Sequence, residues 1–405
     1  MEKQKPSLQI DFAGILFKNP FILASGPPTR DAEMLRRAFA AGWAGAVIKT
    51  IPSERLMQRG LTREPRPLLA TVRVGKRKMG MGNLSITGEW RIPEWAQALD
   101  ALKQEFPECR VIGSIGAEVI PLDWKRMASE IRAAGFDGIE LDLSCTHATS
   151  GLEAPLIVGE DPELTRQVVG WVKEAVDIPV IPKLPATVHN WHDMLEACLQ
   201  AGASGVASIN SLSALMGVDI EKMEPSLNLG GFSTYCGYSG PGIKPIALRV
   251  ISQIHKTSIL PVSGIGGIST WQDSVEFLLL GARTVQLCTA VMWSGYKIVE
   301  KMISGLTGYL ESHDLTSLEP LIGRANEKIK DSVFKLEPDP DLIAQILDTC
   351  SNCGLCITAC WDGGHQAIYE SEDLTVVDEY KCVGCGLCLQ VCPTDSIDMY
   401  SKAKS

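Results

Sequence analysis

No run in this chain of 405 residues approaches the roughly 18–20 apolar residues that a bilayer-spanning helix needs. The N-terminal stretch MEKQKPSLQIDF carries charge but no apolar h-region, so no secretory signal is visible and a cytoplasmic location is expected. An excess of positive charge is missing too. Lys and Arg total 38 against 48 Asp and Glu, a formal net charge of −10. That argues against a non-specific grip on nucleic acid or anionic lipid, because phosphate contacts need basic side chains. The imbalance is uneven: from Leu321 to Ser405, 7 basic against 14 acidic residues give −7. An acidic end module can steer a basic protein partner, or serve solubility alone. Also absent is a GxGxxG loop after the first apolar strand candidate, which ends in ASGPPT. A doubly wound dinucleotide-binding sheet thereby loses its marker.

What is present is a repeated alternation. After an expected entry hairpin, LQIDFAGILFKNP, come eight apolar strand-like runs: FILASG (21–26), AGAVIKT (44–50), RVIGSIGA (110–117), GIELDLS (138–144), IPVIPKLP (178–185), GVASIN (205–210), ILPVSGIGG (259–267) and TVQLCTAV (284–291). Amphipathic helix-like runs follow them, among them DAEMLRRAFAAG, PLDWKRMASEIRAAG, DPELTRQVVGWVKEAV and TWQDSVEFLLLG. Continuous apolar strands flanked by helices imply a parallel sheet covered by helices. The segments AAGWAGAVI, AAGFDGIEL, QAGASGVAS and LLGARTVQL each set a glycine where a helix should end, just before a strand. This fits a left-handed C-terminal glycine and a tight turn. Eight such units in about 305 residues predict an α/β fold, a (β/α)8 TIM barrel, over residues 1–320. SGIGG after the seventh strand is the candidate phosphate loop, since barrels bind phosphate after strands seven and eight. The Arg- and Gly-rich stretch from Arg59 to Trp90 is poorly periodic and reads as a functional cover or strand ribbon. Residues 321–345 read as a linker, with EPDPDLIAQI (337–346) starting a short helix.

Thirteen cysteines in a chain without secretory marks call for metal or catalysis before disulfides. Eight fall between Cys350 and Cys392, as CSNCGLCITAC and CVGCGLCLQVCP. Two C-x2-C-x2-C-x3-C runs form the bacterial two-cluster ferredoxin pattern, in which each fourth cysteine crosses to the other cluster. Cys350, Cys353, Cys356 and Cys392 are thus expected to hold one [4Fe-4S] cluster, and Cys360, Cys382, Cys385 and Cys388 the other. Structural zinc prefers four ligands from two C-x2-C pairs, which the double run does not match. Residues 346–405 therefore read as a small ferredoxin-like domain. Two clusters conduct single electrons, so the barrel must hold a group that exchanges one electron and delivers two. Flavin does so; nicotinamide alone does not.

The motifs NPFILASGPPT, VIKT, ELDLSC, IPKL, INSLSALMG, YSGPGIKPIAL, SGIGGI and VQLCTAV, in this order, resemble those of the dihydroorotate dehydrogenase superfamily. Within it, the likeness runs to the FMN/iron–sulfur part of the dihydropyrimidine dehydrogenases. The resemblance implies FMN at the mouth of the barrel, lined by Ala24, Ser25 and Gly26. It puts Lys49, Thr50 and Lys183 by the ring, and Gly240, Gly264, Gly266, Gly267, Cys288 and Thr289 by the ribityl and phosphate. It implies Asn83, Ser85, Asp142, Asn210 and Ser211 as substrate contacts, and Cys145 as the acid/base that moves a proton opposite the hydride. His147 is close enough in sequence to tune that thiol.

The family pattern is not kept everywhere. Asp142 stands where the pyrimidine enzymes carry Asn, Thr146 where they carry Pro, and Ser85 where they carry Glu; HATSGLEAPLIVG replaces a Gly/Met-rich lid. These departures fall on the substrate shell and spare the flavin and cluster residues. An ionised Asp only accepts hydrogen bonds, whereas Asn also donates. Three functions fit: a dihydropyrimidine dehydrogenase-like enzyme, the same cofactors with a non-pyrimidine substrate, or a non-catalytic electron-transfer subunit. The joint presence of Cys145, Lys49 and Lys183 disfavours the last. The expected electron partner is an NAD(P)H-oxidising flavoprotein subunit or a ferredoxin, in a homo- or hetero-oligomer.

Overall fold

The computed structural model describes residues 5–58, 69–84, 87–143, 158–228, 230–337, 339, 341–363 and 365–401. The chain forms two compact units, Met1–Lys328 and Ile329–Ser405.

In the first unit eight parallel strands close on themselves. They are β1 (Phe21–Leu23), β2 (Gly45–Val47), β3 (Arg110–Gly116), β4 (Gly138–Asp142), β5 (Val180–Leu184), β6 (Val206–Ser208), β7 (Val262–Ile265) and β8 (Ala282–Leu287). Each pairs with the next in chain order, and β8 returns to β1 with Val285 opposite Phe21. Among the described residues eight helices of nine or more residues follow the strands: α1 (Ala32–Ala41), α2 (Ile92–Glu105), α3 (Pro121–Ala133), α4 (Pro162–Ala175), α5 (Trp191–Gln200), α6 (Lys244–Thr257), α7 (Trp271–Leu279) and α8 (Ile298–Ser312). This is the expected (β/α)8 barrel. The entry hairpin is present as well, Ile10–Phe12 pairing antiparallel with Ile15–Phe17.

Local chemistry explains where the helices start and stop. Asp31 caps α1 by accepting from the Met34 N–H at 2.8 Å, and Asp161 caps α4 through the Leu164 N–H at 2.9 Å. The four repeat glycines all take positive φ: Gly42 at 113°, Gly135 at 87°, Gly202 at 83° and Gly281 at 111°. An L side chain is strained there, so glycine ends the helix and turns the chain into the next strand. The core fills the strand–helix interface, where Trp43, Trp95 and Trp124 are fully buried. The buried indoles still satisfy polar groups: Trp43 Nε1 donates to the Tyr296 carbonyl at 2.9 Å and Trp124 Nε1 to that of Glu118 at 2.8 Å.

A second, antiparallel sheet belongs to the same unit. Leu69–Val74 pairs with Arg77–Asn83, which pairs with Cys236–Ser239 and then Leu212–Ala214. The described part of the Arg- and Gly-rich stretch is thus a strand ribbon. Gly80 leaves room there for Tyr238, whose ring a Cβ would approach to 2.2 Å, and Gly82 leaves room for Met216, whose Sδ a Cβ would approach to 2.1 Å.

The second unit joins Leu342–Ile346 antiparallel to Ile397–Ser401, with a hairpin of Ile368–Ser371 and Leu374–Val377. Two short helices, Leu355–Asp362 and Leu387–Val391, complete it. The sequence expectation of a helix starting in 337–346 is corrected here: Leu342–Ile346 is a strand. A full ladder from Leu342–Ser401 to Ile346–Ile397 satisfies its backbone as a strand, through a partner that lies at the far end of the unit.

Candidate active site

The C-terminal ends of the barrel strands converge on one large cavity. Its wall takes Ala24, Ser25 and Gly26 after β1, Lys49 and Thr50 after β2, and Asp142 at the end of β4. Lys183 of β5, Asn210 and Ser211 after β6, Gly266 and Gly267 after β7, and Cys288 and Thr289 after β8 continue it. The antiparallel sheet adds Asn83, Cys236, Gly237 and Ser239, and Gly240 follows it. Active sites of (β/α)8 barrels sit at this end, built from the βα loops.

One side of the cavity is built from glycine backbone. Gly240, Gly266 and Gly267 have φ of 94°, 125° and 83°. A Cβ on Gly267 would stand 2.8 Å from both the backbone N and Cβ of Lys244 and 3.0 Å from the Gly240 carbonyl. One on Gly266 would stand 2.9 Å from Ala247 Cβ. Two loops thus close to main-chain distance at the start of α6, which suits a phosphate-bearing ligand. Across the wall, a Cβ on Gly26 would lie 2.5 Å from Cys288 Sγ. Ser239 Oγ and Thr289 Oγ1, 2.8 Å apart, link the sheet to the loop after β8.

The other side is polar and charged. Thr50 Oγ1 bonds Ser25 Oγ at 3.1 Å and Ser114 Oγ at 2.9 Å, and donates to Asp142 Oδ2 at 3.3 Å. Asn210 Nδ2 reaches Asp142 Oδ1 at 3.5 Å, while Asn210 Oδ1 accepts from the Ser211 N–H at 2.8 Å. Asn83 Nδ2 donates to the Gly237 carbonyl at 2.9 Å, which fixes its position on the ribbon. Both lysines expected at the ring are buried on the wall, Lys183 at 6% exposure and Lys49 at 8%. Burial works against the Lys183 charge, but Glu140 and Asp142 outweigh it and hold the ammonium above the ordinary lysine range. Burial pushes the Cys288 thiol up to about 11, against the pull of Lys49 and Lys183.

Ala24, Ser25, Gly26, Lys49, Thr50, Asn83, Asp142, Lys183, Asn210, Ser211, Gly240, Gly266, Gly267, Cys288 and Thr289 are therefore brought together. Gly264 is not on the wall: a Cβ there would meet Phe277 at 2.5 Å, so this glycine lets α7 approach β7. Ser85, Cys145, Thr146 and His147 lie outside the described residues. Sequence reading missed Glu140 and Gln286, which are buried inside the barrel with Gln286 Nε2 donating to Glu140 Oε2 at 3.1 Å. The available signal was a polar letter inside an otherwise apolar strand, as in GIELDLS and TVQLCTAV.

In the cysteine-rich unit Cys360, Cys382, Cys385 and Cys388 line a single hollow. They are the four ligands expected to share one cluster. Backbone N–H groups point at several sulfurs: Ala367 N donates to Cys360 Sγ at 3.2 Å, Ala344 N to Cys382 Sγ at 3.5 Å, Asn352 N to Cys350 Sγ at 3.4 Å and Ser396 N to Cys392 Sγ at 3.2 Å. Such donors are the usual complement of cluster sulfur. Among the described residues no three or more His, Cys, Asp or Glu side chains form a single-ion site; Cys360, Cys382, Cys385 and Cys388 surround a space. Gly384, at φ 66°, is needed for this packing, since a Cβ would stand 2.4 Å from the Leu342 carbonyl.

A family model described as dihydroorotate dehydrogenase matches residues 7–310, and one described as a 4Fe-4S dicluster domain matches residues 344–399. The chain is 37% identical over 370 residues to the NAD-dependent dihydropyrimidine dehydrogenase subunit PreA of Escherichia coli (strain K12), covering 90% of this chain and 88% of that protein. It is 38% identical over 324 residues to the catalytic subunit of dihydroorotate dehydrogenase B (NAD(+)) of Pyrococcus furiosus, covering 79% and 99%. With the chloroplastic dihydropyrimidine dehydrogenase (NADP(+)) of Arabidopsis thaliana the identity is 29% over 335 residues, covering 80% and 78%. Among the described residues no helix is long and apolar enough to cross a membrane.

Proposed function

The chain belongs to the dihydroorotate dehydrogenase family, oxidoreductases of CH–CH bonds, and we propose that it works with FMN in the barrel cavity and two [4Fe-4S] clusters in the cysteine-rich unit. The observation that carries this reading is the cavity itself. It pairs a glycine-backbone wall at the start of α6 with two buried lysines on the floor and amide side chains on the rim. The residues fit the group: Gly240, Gly266 and Gly267 bring main chain without side chains to the wall, and the buried Gln286 Oε1 on the wall has no hydrogen-bond partner. When bound, FMN supplies hydride exchange and one-electron exchange.

The chain's own residues do the rest. Gly240, Gly266 and Gly267 admit the phosphate end. Lys49 and Lys183 place positive charge where negative charge develops during reduction. Asn83 and Asn210, each fixed by a backbone hydrogen bond, orient a small ring. Cys145, three residues beyond the end of β4, exchanges a proton with the carbon next to the one that exchanges hydride. In the second unit Cys360, Cys382, Cys385 and Cys388 hold one cluster, and Cys350, Cys353, Cys356 and Cys392 the other. The clusters would supply single-electron exchange with a separate NAD(P)H-oxidising flavoprotein subunit or a ferredoxin, in the cytoplasm. The subunit names of the relatives support this division of labour.

The relatives favour a dihydropyrimidine as substrate. A second reading keeps the cofactors and changes the ring, and Asp142 favours it, because a carboxylate on the wall selects a ligand that presents N–H or cationic groups. The test is to isolate the protein anaerobically, extract its flavin, and add dihydrouracil, dihydrothymine or dihydroorotate while following flavin absorbance. Bleaching by the first two supports the pyrimidine reading. No bleaching by any of them, with FMN and iron present, favours the second. A protein reconstituted with neither flavin nor iron overturns both.

A further inference from the structure

Glu140 stands on β4 inside the barrel at 1% exposure. Its Oε1 lies 3.4 Å from Lys183 Nζ on β5, and its Oε2 accepts from Gln286 Nε2 on β8 at 3.1 Å. Gln286 Nε2 also donates to Ser263 Oγ on β7 at 3.2 Å, and Thr284 Oγ1 donates to the same oxygen at 2.8 Å. Four strands thus converge on one buried carboxylate and one buried ammonium.

The pair is costly for a barrel interior. Two charges withdrawn from water recover little more than their desolvation, and an apolar pair of similar volume is commonly as stable. Packing alone therefore gives no reason for it. The position does: Lys183 lines the cavity floor and Glu140 does not, so the carboxylate lies behind the lysine. Among the described residues the other charged or titratable groups acting on Lys183 are Asp142, next to it in the strand register, and Cys288, with Lys49 beyond it. The other groups tied to the pair, on β7 and β8, are the uncharged Ser263, Thr284 and Gln286.

We propose that Glu140 is the positioning residue of Lys183, fixing its ammonium at one point of the cavity floor and supplying the counter-charge that keeps it charged there. The upward bias on the Lys183 proton from Glu140 agrees with this. Removing the Glu140 charge leaves burial as the larger influence. The ammonium then releases its proton at a lower pH than in the wild type.

The flavin arm of the test rests on the FMN reading above; a second arm does not. Wild type, Glu140→Gln and Glu140→Gln/Lys183→Met are titrated between pH 6 and 10, following the bound-flavin spectrum and, separately, the thermal midpoint. In Glu140→Gln the spectrum should show a transition that is absent from both the wild type and the double variant. Its thermal midpoint should rise with pH relative to wild type, because over that window the unfolded chain binds the lysine proton and the folded one does not. Flat behaviour of Glu140→Gln in both readouts, with FMN bound, overturns the proposal. A wild type that binds no FMN overturns the FMN reading and leaves the thermal arm to decide. If Glu140→Gln does not fold, the double variant decides: recovery of folding supports the proposal, and failure to recover overturns it.

Discussion

One carboxylate joins two loops over the cavity: Asp142, at the end of β4, accepts from Thr50 Oγ1 at 3.3 Å through Oδ2 and lies 3.5 Å from Asn210 Nδ2 through Oδ1. Both neighbours are donors, which is what an acceptor-only side chain requires. A ring edge that turns a carbonyl toward Asp142 meets a like partial charge, whereas an N–H is held. Asp142→Asn should therefore raise kcat/KM for uracil-type rings by about 10-fold or more, since unpaired polar groups at a binding edge dominate discrimination. FMN content should not change. Steady-state kinetics of the two proteins on the same substrate panel check this, and equal selectivity removes Asp142 from specificity.

Cys145→Ala should lower turnover by about 10²–10⁴-fold, the usual worth of a positioned acid or base. Flavin and iron content should stay at wild-type levels. Stopped-flow mixing of substrate with the oxidised protein reads the chemical step directly. Unchanged flavin reduction would remove Cys145 from proton transfer.

The barrel was legible because its signals are local. Strands buried on both sides read as apolar runs, and Gly42, Gly135, Gly202 and Gly281 mark four helix ends at positive φ. Lys49 and Lys183 were legible for a related reason: a charged letter closing an apolar strand needs a destination. Glu140 and Gln286 were not read out, although they carry the same kind of signal. Their partners lie on other strands, the two themselves 146 positions apart in sequence, and only barrel closure makes them neighbours. Gly264 erred in the opposite direction. Its motif places it beside Gly266 and Gly267, but strand alternation turns it toward Phe277 and α7. The segment 342–346 failed as a helix for a similar reason, because its ladder partner lies at the far end of the unit.

Gly267→Ala tests the backbone wall. It forces a side chain into φ 83° and sets a Cβ 2.8 Å from the Lys244 backbone, whereas Gly75→Ala, at φ 58°, meets open space. The left-handed conformation costs about 1–2 kcal/mol in either case; overpacking adds about 1–3 kcal/mol at Gly267 alone. Gly267→Ala should therefore lose more thermal stability than Gly75→Ala and should weaken FMN binding, measured by fluorescence of released flavin. Equal losses in both variants would show that the wall tolerates a methyl group.

The proposed crossing of the fourth cysteines has its own signature. Cys360 lines one hollow with Cys382, Cys385 and Cys388, not with the three cysteines that precede it in sequence. Cys360→Ala should thus perturb the cluster held by the second run. Iron should fall from about 8 to about 4 per chain if that cluster is lost. Pairing Cys360→Ala with Cys385→Ala should cost no further iron, while pairing it with Cys353→Ala should deplete the remainder. Iron assay and electron paramagnetic resonance of the reduced variants decide between this pattern and ligation of each cluster by one run alone.

Alkaline pH should destabilise the barrel in a defined window. Burial pushes the Cys198 thiol up to about 12 and is the first cause raising Cys109 to about 11, from an ordinary value of 9.0. Cys109 also donates from Sγ to the Trp43 carbonyl at 3.3 Å, a bond that needs the proton. Between the ordinary and the raised values the folded chain holds thiol protons that the unfolded chain has released, so stability falls as pH rises. Below about pH 9 both states are protonated and the contribution is fully present. The thermal midpoint should be insensitive to these thiols up to about pH 9 and decline beyond it. Cys198→Ala should flatten part of that decline, because the variant has no proton to lose at this position. Calorimetry across the window checks the slope; an unchanged slope in Cys198→Ala would show that the thiol meets hydroxide without unfolding.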